Sequence, residues 1–119
     1  MTTLNPNDGH LVLINTFTVD PARADELLQV LEDATERGMR KRPGFISANF
    51  HVSLDKKHIA NYAQWRSKPD FDAMLRDPAA QEHMKNAAEI AESFEAICYE
   101  LWASHSTVGF FTKSWSAEA

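Results

Sequence analysis

The sequence predicts an α+β domain of ferredoxin-like type, a β-α-β-β-α-β chain with an antiparallel sheet and both helices on one face. Three observations carry this. Four segments read as strands: His10 to Val19, Phe45 to Leu54, His58 to Trp65 and Ser93 to Ala103. A helical pattern follows the first strand and another follows the third. A short polar turn, Asp55-Lys56-Lys57, joins the middle two strands as a hairpin.

The bulk properties fit one such domain. A chain of 119 residues is the size of a single domain. With 44% hydrophobic and 24% charged residues it has the composition of a globular protein and not of a disordered one. A net charge of −5, from 17 acids against 12 bases, argues against nucleic acid and anionic membrane surfaces as partners. Cys98 is the one cysteine, so no intramolecular disulfide can form, as suits a reducing compartment. Residues 1–9 are polar, with neither a basic nor an apolar signal region, and no apolar run approaches the ~20 residues of a membrane span. The cytoplasm is the expected location. No internal repeat, low-complexity tract or linker interrupts the chain.

Taken in order, residues 1–9 read as a disordered lead closed by Asp8-Gly9. In the first strand Leu11, Leu13, Asn15 and Phe17 share one face, and Val12, Ile14, Thr16 and Thr18 the other. Both faces are largely apolar, so both should be covered. Asp20-Pro21 opens the first helix as N-cap and first-turn proline. Leu27, Leu31 and Ala34 follow its apolar spacing, and the basic run to Arg42 suits the negative end of its dipole. Pro43-Gly44 stops it. The second helical segment is broken in two: Lys68-Pro69-Asp70 opens it, Phe71, Met74 and Leu75 form its stripe, and Asp77-Pro78 restarts it. After the last strand, Val108-Gly109-Phe110-Phe111 is a short apolar piece in a fraying tail. Helices cover one face of the sheet only. A partner subunit is the simplest cover for the other, so a homodimer is expected, with Val108–Phe111 placed to reach across.

Chemistry should sit where polar residues stand in strands. Asparagine is depleted there, and an unpartnered buried amide costs about 1–3 kcal/mol. Asn15 is therefore either a structural hydrogen-bonding residue or a ligand-facing one. Asn61 and Trp65, four apart on one strand, share a face with Ile59 and Ala63. An amide and an indole beside apolar neighbours make a pocket for a flat, oxygenated aromatic. The plainer alternative makes Trp65 core and Asn61 the cap of a bulge. Alternation turns His58 away from Asn61 and groups His51 with Asn49 and Ser53, while His83 on the second helix can face the cavity. Arg66 and Arg76 read as solvated charges, and Cys98, mid-strand, as a buried thiol.

Together Ile14-Asn15-Thr16-Phe17, Arg42-Pro43-Gly44-Phe45 and Asn61-Tyr62-Ala63-Gln64-Trp65 resemble the antibiotic biosynthesis monooxygenase family, over about residues 10–102. The resemblance implies a dimer of ferredoxin-like subunits, residues 10–104, with a tail over 105–119. It implies one cavity per subunit between sheet and helices. The polyketide anthrone oxygenases of the family use two asparagines and a tryptophan, which Asn15, Asn61 and Trp65 match. Leu13, Phe17, Phe71, Leu75 and His83 are then expected to contact substrate.

The activity implied is oxidation of an anthrone, aromatic polyketide or hydroquinone to a quinone by molecular oxygen, with no metal, flavin or haem. Such substrates are acidic and electron-rich, so their anions can reduce O2 directly. Haem-degrading members add a histidine ligand about one helix-length after the tryptophan. Here that position holds Phe71, Met74 and Leu75, and His83 comes too late to match well, so haem degradation is the second reading among enzymes. From another class, a non-catalytic dimeric module for a small apolar ligand remains the competing reading. Metal-binding C-x-x-C, H-x-x-x-H and H-E-x-x-H patterns, a Gly-rich phosphate loop and a G-x-S-x-G elbow are all absent from the sequence.

Overall fold

The computed structural model describes residues 2–112. Strands β1 (Leu11–Thr18), β2 (Phe45–Val52), β3 (His58–Trp65) and β4 (Ser93–Tyr99) form one antiparallel sheet in the order β2-β3-β1-β4. Helices α1 (Ala24–Arg37), α2 (Lys68–Leu75) and α3 (Pro78–Ile90) provide the crossovers. This is the ferredoxin-like arrangement, and β3 has the bounds read from its sequence. No helix among the described residues is long and apolar enough to cross a membrane.

The helix starts have the chemistry expected of them. Asp20 Oδ1 accepts from the Ala22 N–H and opens a single 3-10 turn, Pro21–Arg23, that leads into α1. Ser67 caps α2, accepting from the Asp70 N–H, and Asp77 Oδ2 accepts from the Ala80 N–H at the start of α3. Each cap satisfies a donor the helix itself leaves free.

Four features differ from the expectations. First, α1 ends at Arg37, and the rest of the basic run forms a separate 3-10 turn, Met39–Lys41. That tighter turn brings Met39 against the core and leaves Arg42 beside Asp77, Nη1 to Oδ1 3.3 Å. Second, the lead expected to be disordered lies against the sheet over residues 2–9. Thr2 donates to the Asn49 side chain, the Thr3 carbonyl accepts from Gln64, and Pro6 is buried. The sheet face away from the helices needs cover there, over the buried Val12 and Gln64.

Third, the last strand stops at Tyr99. Its neighbour β1 begins at Leu11, after a left-handed turn at Gly9, and the last pair of the ladder is Val12 with Tyr99. The chain then makes its own hairpin, β5 (Ala103–Ser106) with β6 (Gly109–Thr112). The tail expectation falls partly here; residues 113–119 lie outside the described residues. Fourth, Cys98 is exposed, because β4 is an edge strand whose residues are all exposed.

The Pro43-Gly44-Phe45 step joins α1 to the sheet. Gly44 has φ +83°, and any Cβ there would collide with the side chain of Asp70. The Gly44 carbonyl accepts from the Arg66 N–H at 2.7 Å. Asp70 in turn accepts from Arg66 Nε at 2.8 Å and Ser67 Oγ at 2.9 Å. The Arg66 bond first, and then the Ser67 hydroxyl, hold the Asp70 carboxyl below the usual carboxylate range. What these bonds add to stability is present above the ordinary carboxylate pKa and is lost as pH falls below it. Gly44→Ala combines a left-handed backbone with displacement of Asp70, and should cost about 2–4 kcal/mol in urea unfolding. A loss below about 1 kcal/mol would show that this turn is not pinned as described.

Candidate active site

The covered face of the sheet carries apolar side chains on both sides of one polar rung. Along β1 the sequence on that face is Leu13, Asn15, Phe17, and along β3 it is Ile59, Asn61, Ala63, Trp65. Antiparallel pairing places Asn15 directly opposite Asn61. The buried core divides at this rung. One cluster contains Leu13, Ala63, Trp65, Phe71 and Met74. The other contains Phe17, Val19, Leu27, Ile59 and Ala87.

Between the clusters lies a hollow of about 260 Å³. Its floor is Leu13, Asn15, Phe17, Asn61, Ala63 and Trp65, widened by Ala48 and Phe50 of β2 and by Phe94 and Ala96 of β4. Its roof is Leu31, Ala34 and Thr35 of α1, then Met39, with Phe71, Met74 and Leu75 of α2 and His83, Met84 and Ala87 of α3. All the residues expected to form a site line this one space. A second hollow of similar volume lies between the lead and the end of β4, lined by Asn5, Pro6, His10, Gln64 and Glu100 among others. It contains none of the expected site residues.

The two amides are held differently. Asn61 Oδ1 accepts from the backbone N–H of Asn49 on β2, at 3.2 Å. With its oxygen committed, the group Asn61 offers the hollow is its NH2, a donor. Asn15 Oδ1 is buried and accepts no hydrogen bond from another protein group among the described residues. A buried acceptor left wholly unpaired costs about 1–3 kcal/mol, a cost that a hydrocarbon side chain would not carry.

Trp65 is 1% exposed. Phe45 meets it edge-on, with ring centroids 5.6 Å apart and planes at 90°, and Phe71 at 6.0 Å and 65°. These contacts fix the indole plane, so Trp65 is at once core and cavity wall. His83 is half-buried, and its Nε2 lies 3.9 Å from where a Cβ on Gly38 would stand, at the end of α1. Among the lining residues, Leu75, Met84, Phe94 and Ala96 are exposed to solvent.

Other polar residues weighed from the sequence lie elsewhere. His51 is exposed, with Nδ1 near its neighbour Asn49's carbonyl, and His58 is exposed at the hairpin. Arg66 is paired with Asp70. Tyr62 faces away from the helices, and partial burial raises its hydroxyl pKa. Among the described residues, no group of three His, Cys, Asp or Glu side chains is placed to hold a metal ion.

Sequence reasoning missed part of the lining. Ala48 and Phe50 were within reach of it, since alternation from Asn49 and His51 puts them on the opposite, covered face. Met39 was not, because its direction depends on the 3-10 turn after Gly38.

A four-stranded antiparallel sheet roofed by helices, enclosing an apolar hollow with an asparagine rung, defines a ferredoxin-like domain with an internal hollow. The profile of the antibiotic biosynthesis monooxygenases matches residues 10–86. The chain is 40% identical over 98 residues to tetracenomycin-F1 monooxygenase of Streptomyces glaucescens, a match covering 82% of this chain and 88% of that protein. It belongs to the antibiotic biosynthesis monooxygenase family and is a monooxygenase.

Solved structures agree on the fold. The ActVA-Orf6 monooxygenase of Streptomyces coelicolor, in complex with nanaomycin D, is similar with a TM-score of 0.72 and 28% identity, covering 78% of this chain and 88% of that one. SnoaB of Streptomyces nogalater, a cofactor-independent oxygenase, has a TM-score of 0.67 and 20% identity, covering 76% and 90%.

The orphaned oxygen yields a stability test. Asn15→Leu removes it and adds apolar contact, so the variant should be more stable than the parent by about 1 kcal/mol in urea unfolding. A variant less stable than the parent would mean that the Asn15 oxygen is satisfied in solution.

Proposed function

We propose that this chain uses O2 to oxidise an anthrone, aromatic polyketide or hydroquinone-type substrate to a quinone, without metal, flavin or haem. The observation that carries the reading is the Asn15–Asn61 rung facing Trp65 inside one apolar hollow. The named activities of the relatives, among them a cofactor-independent oxygenase, support it.

For an anthrone the chemistry balances as follows. Loss of a proton from the ring methylene gives an enolate. The enolate passes one electron to O2, and the resulting radical pair combines into a carbon-bound peroxide. The peroxide takes up a proton, and cleavage of its O–O bond with loss of the remaining C–H proton yields the ketone and water. One oxygen atom enters the product and the other leaves as water, a four-electron oxidation matched by a four-electron reduction. Dioxygen serves as both oxidant and oxygen source, so the protein supplies positions and fields only.

Each residue has a part in this. Asn61 NH2 donates to the enolate oxygen, favouring the anion over its conjugate acid. Asn15 contributes the second amide of the rung. Trp65 stacks on the ring system or donates its N–H to the peroxide. Leu13, Phe17, Phe71 and Leu75 hold the flat rings and exclude water, and His83 stands at the wall nearest the end of α1. The polar groups are few and converge, as in sites that orient a mostly apolar ligand.

The active unit proposed is a homodimer. Ile14, Ile97 and Tyr99 share the sheet face away from the helices, and Ile97 and Tyr99 remain 39% and 44% exposed in the single chain. Val108 and Phe110 on the hairpin are also exposed, available to a second copy. Sedimentation should give a dimer, and Ile97→Glu should shift it to monomer; a parent chain that sediments as a monomer at micromolar concentration would remove the dimer from the account.

Oxygen uptake tests the chemistry. With an anthrone, EDTA and no added cofactor, the parent should consume O2. Asn61→Ala and Trp65→Phe, folded by circular dichroism, should each lose roughly 100-fold in kcat, the usual effect of removing one preorganised donor. Ligand binding without uptake across a broad quinol panel would make the chain a binding module instead.

A further inference from the structure

We infer that Asn49, which does not line the hollow, is the positioning residue for Asn61, and that the N-terminal residues Thr2 and Thr3 hold it in place. The inference rests on the donor role proposed above for Asn61.

An asparagine amide can be turned by half a revolution with little change of shape, presenting either C=O or NH2 to the hollow. Only one orientation donates to a substrate anion. The Asn49 N–H, which can only donate, selects the oxygen of Asn61 and so turns its NH2 inward. That N–H sits on β2, an outer strand of the sheet that pairs with β3 alone and has a register irregularity between Phe45 and Ser47. Something must hold this edge strand at the right height.

A chain of hydrogen bonds on the opposite face does so. Thr2 Oγ1 donates to Asn49 Oδ1 at 2.9 Å, and Asn49 Nδ2 donates to Ser47 Oγ at 3.2 Å. Ser47 Oγ donates to Gln64 Oε1 at 2.9 Å, and Gln64 Nε2 donates to the Thr3 carbonyl at 2.8 Å. Every bond runs in the same sense, and the chain begins and ends on adjacent residues of the lead. Bonds arranged head to tail in this way polarise one another. Asn49 Nδ2 also donates to the Tyr62 carbonyl at 2.9 Å, tying β2 to β3 one residue from Asn61. Gln64 is 3% exposed, so part of the chain is out of water's reach. The lead thus acts on the far side of the sheet from the hollow, through the backbone of one strand.

A double-mutant cycle separates positioning from general loosening. Steady-state kcat and KM for an anthrone are measured for the parent, Asn49→Ala, Asn61→Ala and the double variant. Asn49→Ala should lower kcat roughly tenfold, as a displaced donor does, with KM changed less than about twofold. In the Asn61→Ala background it should lower kcat no further. Thr2→Val, which removes one hydroxyl donor, should give a smaller loss of the same pattern and serves if Asn49→Ala does not fold. Equal losses in both backgrounds, or an unchanged kcat in Asn49→Ala and Thr2→Val, overturn the inference. If Asn61→Ala itself keeps the parent kcat, the role of Asn61 falls, and this inference with it.

Discussion

Two asparagine side chains facing each other across β1 and β3 are the constraint to which the rest of the structure answers. A sheet covered by helices normally closes with a continuous apolar layer. Here that layer is interrupted at its centre, where Asn15 and Asn61 are paired in register. The core divides into one cluster around Trp65 and another around Leu27, and the space between them stays open. Filling it with larger apolar side chains would unite the core but leave no room for a substrate. The penalty at Asn15 is local, and the two clusters on either side provide the burial that offsets it.

Rigidity and openness are assigned to different walls. The Trp65 end is braced by Phe45 and Phe71, and by the Gly44 turn locked against Asp70. The opposite part of the lining includes Phe94 and Met84, which remain exposed, and β4 is an edge strand of the sheet among the described residues. A flat ligand would thus be oriented by the braced end and admitted past the looser one. This division suits chemistry in which the protein must hold an anion and keep water away while the substrate itself supplies the electrons.

Much of this was legible in the sequence because it rests on local rules. The spacing of four between Asn61 and Trp65 places them on one strand face, and alternation from Leu13 to Phe17 places Asn15 on the matching face. Asp20-Pro21 and Asp77-Pro78 announce helix starts through the hydrogen bonds their carboxylates accept. What was not legible depends on tertiary context. The lead is polar and reads as free chain, yet the uncovered sheet face recruits it through Asn49 and Gln64. Glu100 to Ala103 continue the strand pattern in sequence, yet the ladder with β1 ends at the Val12–Tyr99 pair and they are not part of that sheet. Cys98 reads as buried because it lies mid-strand, but an edge position exposes it. The basic run after Arg37 suits a helix end, and only the turn at Gly38 removes it from the helix.

Stabilisation of the substrate's anion by the proposed asparagine rung can be measured apart from turnover. An anthrone bound anaerobically to the protein is titrated by its absorbance, and its pKa is compared with that of the same compound in buffer. The bound pKa should lie lower by about one unit or more, with most of the difference lost in Asn61→Ala. A bound pKa equal to or above the free value, or a lowering that survives in Asn61→Ala, would contradict it.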